Sequence, residues 1–107
     1  MEVLYRSTRG NGSTVTASNA ILKGLSEDGG LFVPDQIPAL EVPMEQLAQM
    51  SYQEVAYEVM SRFLTDFTEE ELKKCIQSAY DQKFDTDVIA PLVKADGAYY
   101  LELFHGS

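Results

Sequence analysis

The sequence predicts an α+β domain in which three or four helices pack on a small, partly antiparallel sheet. Two stretches, beginning near residues 51 and 68, combine helix-start signals with apolar residues at helical spacing. Short apolar and β-branched runs near both ends of the chain, bounded by glycine-containing turns, are typical of strands. The last two runs are joined by a short turn, which indicates antiparallel pairing. With 107 residues, the chain is predicted to form one domain, residues 1–107.

The first third of the chain predicts a strand, a short helix and a second strand. Val3–Thr8 mixes aliphatic, aromatic and β-branched residues before a glycine-rich turn, as a strand entering a turn does. Thr16 or Ser18 is suited to cap the helix, which glycine ends at Gly24 or at the turn over residues 28–30. The apolar helix residues are expected on one face, and a buried strand is expected next. These residues are Ala20, Ile21 and Leu25 in the helix and Leu31, Phe32 and Val33 in the strand.

A proline-containing connector separates this part from the next helix. Three of the four prolines lie within residues 34–43 and predict an ordered loop, because proline donates no backbone hydrogen bond. Met44–Met50 has room for one or two helical turns, and Ser51 and Glu54 then form a capping box. One face of that helix is predicted to pack inward. Its apolar residues are Tyr52, Val55, Ala56, Val59, Met60, Phe63 and Leu64, with Tyr57 off the stripe.

The last third predicts a helix and a hairpin. Thr68 and Glu71 form a second capping box, and the first turn holds carboxylates that the helix dipole favours. The apolar stripe of this helix comprises Leu72, Cys75, Ile76, Ala79 and Tyr80, and the helix is expected to break at Asp85-Thr86-Asp87. Pro91–Lys94 and Tyr99–Phe104 are predicted strands around a turn at Asp96-Gly97.

Charge and composition exclude several classes of partner. Seventeen acidic residues against eight basic ones give a net charge of −9, which would repel a nucleic-acid backbone. No apolar run reaches membrane-span length, and the N-terminus lacks the pattern of a signal peptide. The single cysteine, Cys75, cannot form an internal disulfide, which is typical of a reducing compartment. We therefore predict a soluble, cytoplasmic chain with no nucleic-acid or membrane partner.

Candidate reactive residues are few. His105 is the only histidine, which excludes a multi-histidine metal site, and a polar residue at a strand end explains it better than catalysis does. Cys75 is predicted to be buried on its helix, where a thiol behaves as a small hydrophobe. Asp81, Asp85 and Asp87 lack the ligand ladder of a calcium loop, so solvated helix-end charge is favoured over a metal site.

Two glycine-containing loops are read as turns and not as anion sites. Residues 10–14, Gly-Asn-Gly-Ser-Thr, match neither the Walker spacing nor the dinucleotide spacing. Gly29-Gly30 is expected to supply a positive φ at a turn. The residues alone therefore predict a folded acidic module with no catalytic, cofactor-binding or metal residues.

Five stretches together resemble the N-terminal part of the threonine synthase family. They occur in the family's order and reach across essentially the whole chain. They are Tyr5-Arg6-Ser7-Thr8-Arg9-Gly10, Ala20-Ile21-Leu22-Lys23-Gly24-Leu25, Asp28-Gly29-Gly30-Leu31-Phe32-Val33-Pro34, Ser51-Tyr52-Gln53-Glu54-Val55-Ala56 and Leu101-Glu102-Leu103-Phe104-His105-Gly106. The last resembles the segment that leads into the cofactor lysine of the family, with Ser107 where proline is usual.

The resemblance implies a fold-type II pyridoxal-phosphate enzyme that converts O-phosphohomoserine and water to threonine and phosphate. It also implies that this chain is an N-terminal piece, inactive alone, because no lysine occupies the matching motif. The cofactor and the small-molecule substrate would be bound only by the full-length form, with His105, Gly106 and Ser107 near the active-site mouth. The remaining domains of the parent are the expected partner, and their absence predicts self-association.

Two other functions compete with the inactive enzyme fragment. A non-catalytic binding or regulatory module of a threonine synthase-like protein would share the same fold. A self-sufficient small hydrolase is disfavoured by the single histidine and the predicted burial of Cys75. A lysine soon after the His-Gly segment in the parent sequence would distinguish the enzyme from the module.

Overall fold

A computed structural model describes residues 1–81 and 87–106 and confirms the α+β fold class. The described helices are α1 (Ala17–Lys23), α2 (Met44–Leu47), α3 (Tyr52–Phe63) and α4 (Glu69–Ala79). The described strands are β1 (Tyr5–Ser7), β2 (Thr14–Val15), β3 (Phe32–Pro34), β4 (Leu92–Ala95) and β5 (Ala98–Leu101). α4 ends at Ala79, with Tyr80 as its C-cap, so the predicted break at Asp85-Thr86-Asp87 was placed too late. Asp85, Thr86 and Ser107 themselves lie outside the described residues.

The strands form two separate antiparallel sheets. In the first, β1 lies in the middle, with β2 on one side and β3 on the other. In the second, β4 pairs only with β5 among the described strands. The turn between them is the predicted one, with φ of 50° at Asp96 and 78° at Gly97. Two successive positive φ values match the twist of a two-residue hairpin turn, and aspartate followed by glycine is a preferred pair there.

The helix starts lie where the capping signals predicted them. Thr16, not Ser18, caps α1, and Gly24 with a φ of 76° ends it. Ser51 caps α3 and Thr68 caps α4, each in a complete capping box with the glutamate three residues later. Each box satisfies two amides that a helix start leaves without internal partners.

The N-terminal sheet is attached to the end of α3 and the turn after it. The amide of Val3 donates to Thr65 Oγ1 at 3.0 Å, and the Tyr5 hydroxyl donates to the Phe63 carbonyl oxygen at 2.7 Å. Val3 is almost completely buried, so its amide is satisfied inside the structure. These contacts join parts of the chain about sixty residues apart.

The core of the described residues is small. Its apolar members are Val3, Ala17, Ala20, Leu72 and Ile76. The apolar stripe of α3 is half-buried apart from Tyr52, which is exposed, so this face packs inward only in part. α3 and α4 pack against each other, which explains why Leu72 and Ile76 are the buried residues of α4. No helix in the described ranges is long and apolar enough to cross a bilayer.

Several predictions of burial or extent were wrong. Leu25, expected on the apolar face of the helix, lies beyond the end of α1. Leu31 was predicted to lie in a buried strand. The strand begins only at Phe32, whose side chain is half-buried, and Leu31 before it is 61% exposed. The returning strand of the hairpin ends at Leu101 rather than at residue 104.

We expect Thr68→Ala to lower the free energy of unfolding by about 1 kcal/mol, because it removes the side-chain acceptor for the Glu71 amide. Urea denaturation followed by circular dichroism would measure the change. Thr68→Ser keeps the hydroxyl and serves as the matched control, with an expected change of a few tenths of a kcal/mol. Equal losses in the two variants would show that the cap is not the cause.

Candidate functional site

His105 lies beyond the end of β5 in a short cluster with Glu102 and Phe104. Its Nε2 lies 2.8 Å from Glu102 Oε1, and the rings of Phe104 and His105 are 4.5 Å apart between centroids. Only 13% of the His105 side chain is exposed. A carboxylate and an aromatic ring therefore fix the orientation of this imidazole.

The hydrogen bond to Glu102 also constrains the protonation of the ring. An ionised carboxylate only accepts, so Nε2 of His105 is the donor in this contact. In the neutral imidazole the proton then sits on Nε2.

A second polar cluster joins β1 to the turn before β3. The Asp28 carboxylate accepts hydrogen bonds from the Ser7 hydroxyl at 2.6 Å and from the Gly30 amide at 3.0 Å. The Arg9 guanidinium donates to the Asp28 carbonyl oxygen at 3.0 Å. The hydroxyl of Ser7 and then the Gly30 amide lower the pKa of the Asp28 carboxyl below its usual value, as bonds to the charged form do.

The close approach of the two segments requires glycine at position 30. A Cβ added to Gly30 would lie 2.2 Å from Ser7 Oγ, closer than atoms can approach. Gly29 next to it has a φ of 83°, which confirms the predicted positive-φ turn. The resemblance motifs at residues 5–10 and 28–34 thus meet in space, and their polar groups bond to each other.

The loop at residues 10–14 also satisfies its polar groups locally. Asn11 Oδ1 accepts from the Ser13 amide at 3.0 Å, while Asn11 Nδ2 donates to the buried Ser26 hydroxyl at 3.1 Å. The Gly10 amide donates to the Ser7 carbonyl oxygen. An asparagine side chain bonded two residues ahead is an ordinary turn device, and these contacts agree with the prediction of a turn.

The placement of Cys75 was predicted wrongly. Its thiol is exposed, because α4 buries Leu72 and Ile76 against α3 and turns Cys75 away from that contact. Of the proposed aspartate trio, Asp85 lies outside the described residues. Elsewhere in the described ranges, no three histidine, cysteine or acidic side chains are grouped closely enough to hold a metal ion.

Sequence reasoning missed a groove of about 550 Å³ between α3 and α4. Tyr57, placed off the apolar stripe, lines it together with Lys73, whose Nζ lies 4.9 Å from the tyrosine ring centroid. Lys73 is also paired with Glu69 at 2.6 Å, and that contact raises its pKa. The positive charge of Lys73 in this groove is therefore already paired with a carboxylate of the same helix. The (i, i+4) spacing of Glu69 and Lys73 was the available signal for this pair.

Comparison with known proteins gives a consistent result. The family described as threonine synthase N terminus matches residues 4–80. The threonine synthase of Schizosaccharomyces pombe is 40% identical over 98% of this chain. The crystal structure of pyridoxal-phosphate-bound threonine synthase from Brucella melitensis superposes with a TM-score of 0.79 at 34% identity, covering 99% of this chain. The yeast threonine synthase structure gives the same TM-score at 33% identity over 96% of the chain.

The matched proteins are much longer than this chain. It spans 21% of the Schizosaccharomyces pombe protein, 23% of the Brucella melitensis structure and 22% of the yeast structure. The similarity therefore concerns about a fifth of each relative.

We expect the Asp28 cluster to make the fold acid-sensitive. Because its folded-state pKa lies below the usual 3.8, the ionised carboxyl stabilises the fold above that pH, and the contribution is lost as pH falls through the lowered pKa. Asp28→Asn should therefore lower the free energy of unfolding at pH 7 and flatten its decline on acidification. Urea denaturation between pH 7 and pH 3 would measure both effects.

The matched control for this prediction is Asp96→Asn at the hairpin turn. Asp96 has a φ of 50°, a conformation that asparagine tolerates well, and no side-chain hydrogen bond to it is described. Its pH profile should run parallel to that of the unchanged chain. An Asp28→Asn profile that also ran parallel would contradict a role for the Asp28 carboxylate in stability.

Proposed function

This chain belongs to the threonine synthase family, and on that premise we propose that it forms the N-terminal region of a pyridoxal-phosphate enzyme. The parent enzyme converts O-phosphohomoserine and water to threonine and phosphate, as the resemblance implies. The observation that carries the proposal is the match to threonine synthases over nearly the whole chain, in sequence and in backbone structure. The cytoplasm is its proposed location, since a single cysteine with no internal partner is typical of a reducing compartment.

The described residues of this chain do not fit the cofactor by themselves. Lys23 Nζ is paired with Glu27 at 2.9 Å, Lys73 is paired with Glu69, and Lys94 Nζ lies 5.7 Å from the ring of Tyr99. Lys74 is an exposed residue within α4. A Schiff-base lysine needs a free, poised amine close to a phosphate-binding loop. We therefore assign cofactor binding to the part of the parent that this chain does not include.

The contribution of this region is to form part of the wall of the active site. We propose that His105, Gly106 and Ser107 lie at its entrance, where the Glu102 contact holds His105 with Nδ1 directed away from the carboxylate. The imidazole held in this way would shape that entrance. The ring of Phe104 against it limits its rotation.

The large accessible surface of the chain supports the proposal that the rest of the parent protein is its partner. Its accessible surface is 7841 Å², whereas a folded monomer of 11.9 kDa exposes roughly 5,900 Å². Its radius of gyration is 16.2 Å, compared with about 13 Å for a compact domain of this length. We propose that the remaining domains cover this excess surface and that the isolated chain self-associates without them.

The isolated chain should be catalytically inactive. We expect no Schiff-base absorbance when the purified chain is mixed with pyridoxal phosphate, beyond that of a lysine-matched unfolded control peptide. We also expect no phosphate release from O-phosphohomoserine in a colorimetric phosphate assay. Clear turnover would contradict the inactive-fragment assignment.

Replacing His105 in the full-length parent should impair catalysis. His105→Gln is expected to lower kcat/KM about tenfold, which corresponds to about 1.4 kcal/mol, because it removes the imidazole that Glu102 and Phe104 orient. Steady-state kinetics with O-phosphohomoserine would measure the effect. Glu102→Gln keeps an acceptor for Nε2 and is the matched control, with a smaller expected loss. Unchanged kinetic constants in the His105 variant would remove this residue from the active-site entrance.

A further inference from the structure

The loop that joins β1 to β2 contains the step Asn11-Gly12, and the chain has one other asparagine, Asn19 in α1. Both asparagines are exposed to solvent. An asparagine side chain can react with the backbone nitrogen of the next residue, and hydrolysis then leaves a carboxyl group in place of the amide. The surroundings of Asn11 and Asn19 differ in the groups that this reaction uses.

The attacking nitrogen at Asn11, the amide of Gly12, is unhindered. Gly12 has a φ of 82°, and a Cβ added to it would have no neighbour within 4 Å. Within residues 1–81 and 87–106, no acceptor is found for its amide hydrogen. The nitrogen therefore has neither an internal hydrogen bond to break nor a side chain of its own to block its approach.

The carbonyl group that this nitrogen would attack is already polarised. Asn11 Oδ1 accepts a hydrogen bond from the Ser13 amide at 3.0 Å. Attack at Cγ of Asn11 transfers negative charge to Oδ1, so a donor held at this oxygen stabilises the tetrahedral intermediate as an oxyanion hole does. The contact that shapes the turn therefore also favours the reaction.

Asn19 is in the opposite situation. The amide of Ala20, which would have to attack the Asn19 side chain, donates to the Thr16 carbonyl oxygen at 3.0 Å. Attack by this nitrogen would break that bond and distort the first turn of α1. The two asparagines are therefore both exposed, but only one of them is followed by an amide that is free to react.

We propose that Asn11 is a site of spontaneous deamidation in the folded protein. The Gly12 nitrogen, after losing its proton to solvent, bonds to Asn11 Cγ, and Nδ2 leaves as ammonia. Water then opens the cyclic imide. Cleavage at Cγ gives aspartate, whereas cleavage at the backbone carbonyl carbon gives isoaspartate, in which the chain continues through the side chain. Water is the only co-reactant, and the inference does not depend on the enzymatic assignment.

The product weakens the contact between this loop and the turn before β3. Asn11 Nδ2 donates to the buried Ser26 hydroxyl at 3.1 Å, and an ionised carboxyl group has no hydrogen to donate there. Ser26 begins the turn that carries Asp28, whose Oδ2 is buried and has no hydrogen-bond partner among the described residues. Deamidation therefore adds a carboxylate next to a cluster that already holds an incompletely satisfied one.

Peptide mapping by mass spectrometry of the full-length parent, aged at neutral pH, tests the proposal. The deamidation rate of each asparagine is divided by its rate in a synthetic peptide of the same local sequence, which removes the intrinsic effect of the next residue. This ratio should be at least about tenfold higher for Asn11 than for Asn19, because folding engages only the Ala20 amide. A smaller difference, or a higher ratio at Asn19, would overturn the proposal.

Ser13→Pro isolates the role of the polarising donor, because proline lacks the amide hydrogen that bonds to Asn11 Oδ1. In the full-length protein this variant should deamidate at Asn11 about tenfold more slowly, after correction by a peptide with the same change. An unchanged corrected rate would overturn activation by the Ser13 amide. The comparison of Asn11 with Asn19 in the unaltered protein decides the proposal if this variant does not fold.

A matched pair of product mimics measures the consequence of the reaction. Asn11→Asp should lower the thermal midpoint of the full-length protein, because it removes the donor to Ser26. Asn19→Asp makes the same chemical change in the first turn of α1, where the helix dipole favours a carboxylate, and should not lower the midpoint. Equal shifts in the two variants would count against a specific effect at Asn11.

Discussion

The placement of strand β1 is the constraint on which the N-terminal part of this structure depends. β1 is the central strand of its sheet. Residues in β1 and just before it also form hydrogen bonds to three other segments of the chain. Tyr5 bonds to the end of α3, Val3 just before the strand bonds to Thr65, and Ser7 bonds to Asp28. Because Val3 and Ser7 are both buried, water has little access to the contacts that these two residues make.

These contacts fix a small part of the chain and leave much apolar surface exposed. The buried apolar residues of the described chain include two alanines, so side-chain burial contributes little for a chain of this length. Apolar side chains of α1 and the hairpin remain in solvent instead. The physical consequence is a region whose own apolar core contributes little to its stability.

The roles that we propose for this region and for the rest of the parent enzyme follow from the same geometry. Lysines Lys23 and Lys73 are already paired, and the polar motif residues bond to one another. The His105 cluster, which follows β5, is the part of this region that we propose to face a ligand.

Local features of the structure were determined by the sequence alone. The capping boxes at Ser51 and Thr68 and the turn at Asp96-Gly97 depend on hydrogen bonds and φ angles within about four residues, so their residues predict them directly. The family motifs likewise identified the threonine synthase fold. Only the tertiary structure decided that Cys75 and Leu31 are exposed and that Ser7 meets Asp28. Burial depends on which distant segment covers a residue, and an apolar residue kept for a neighbouring domain has the same appearance in sequence as one kept for the chain's own core.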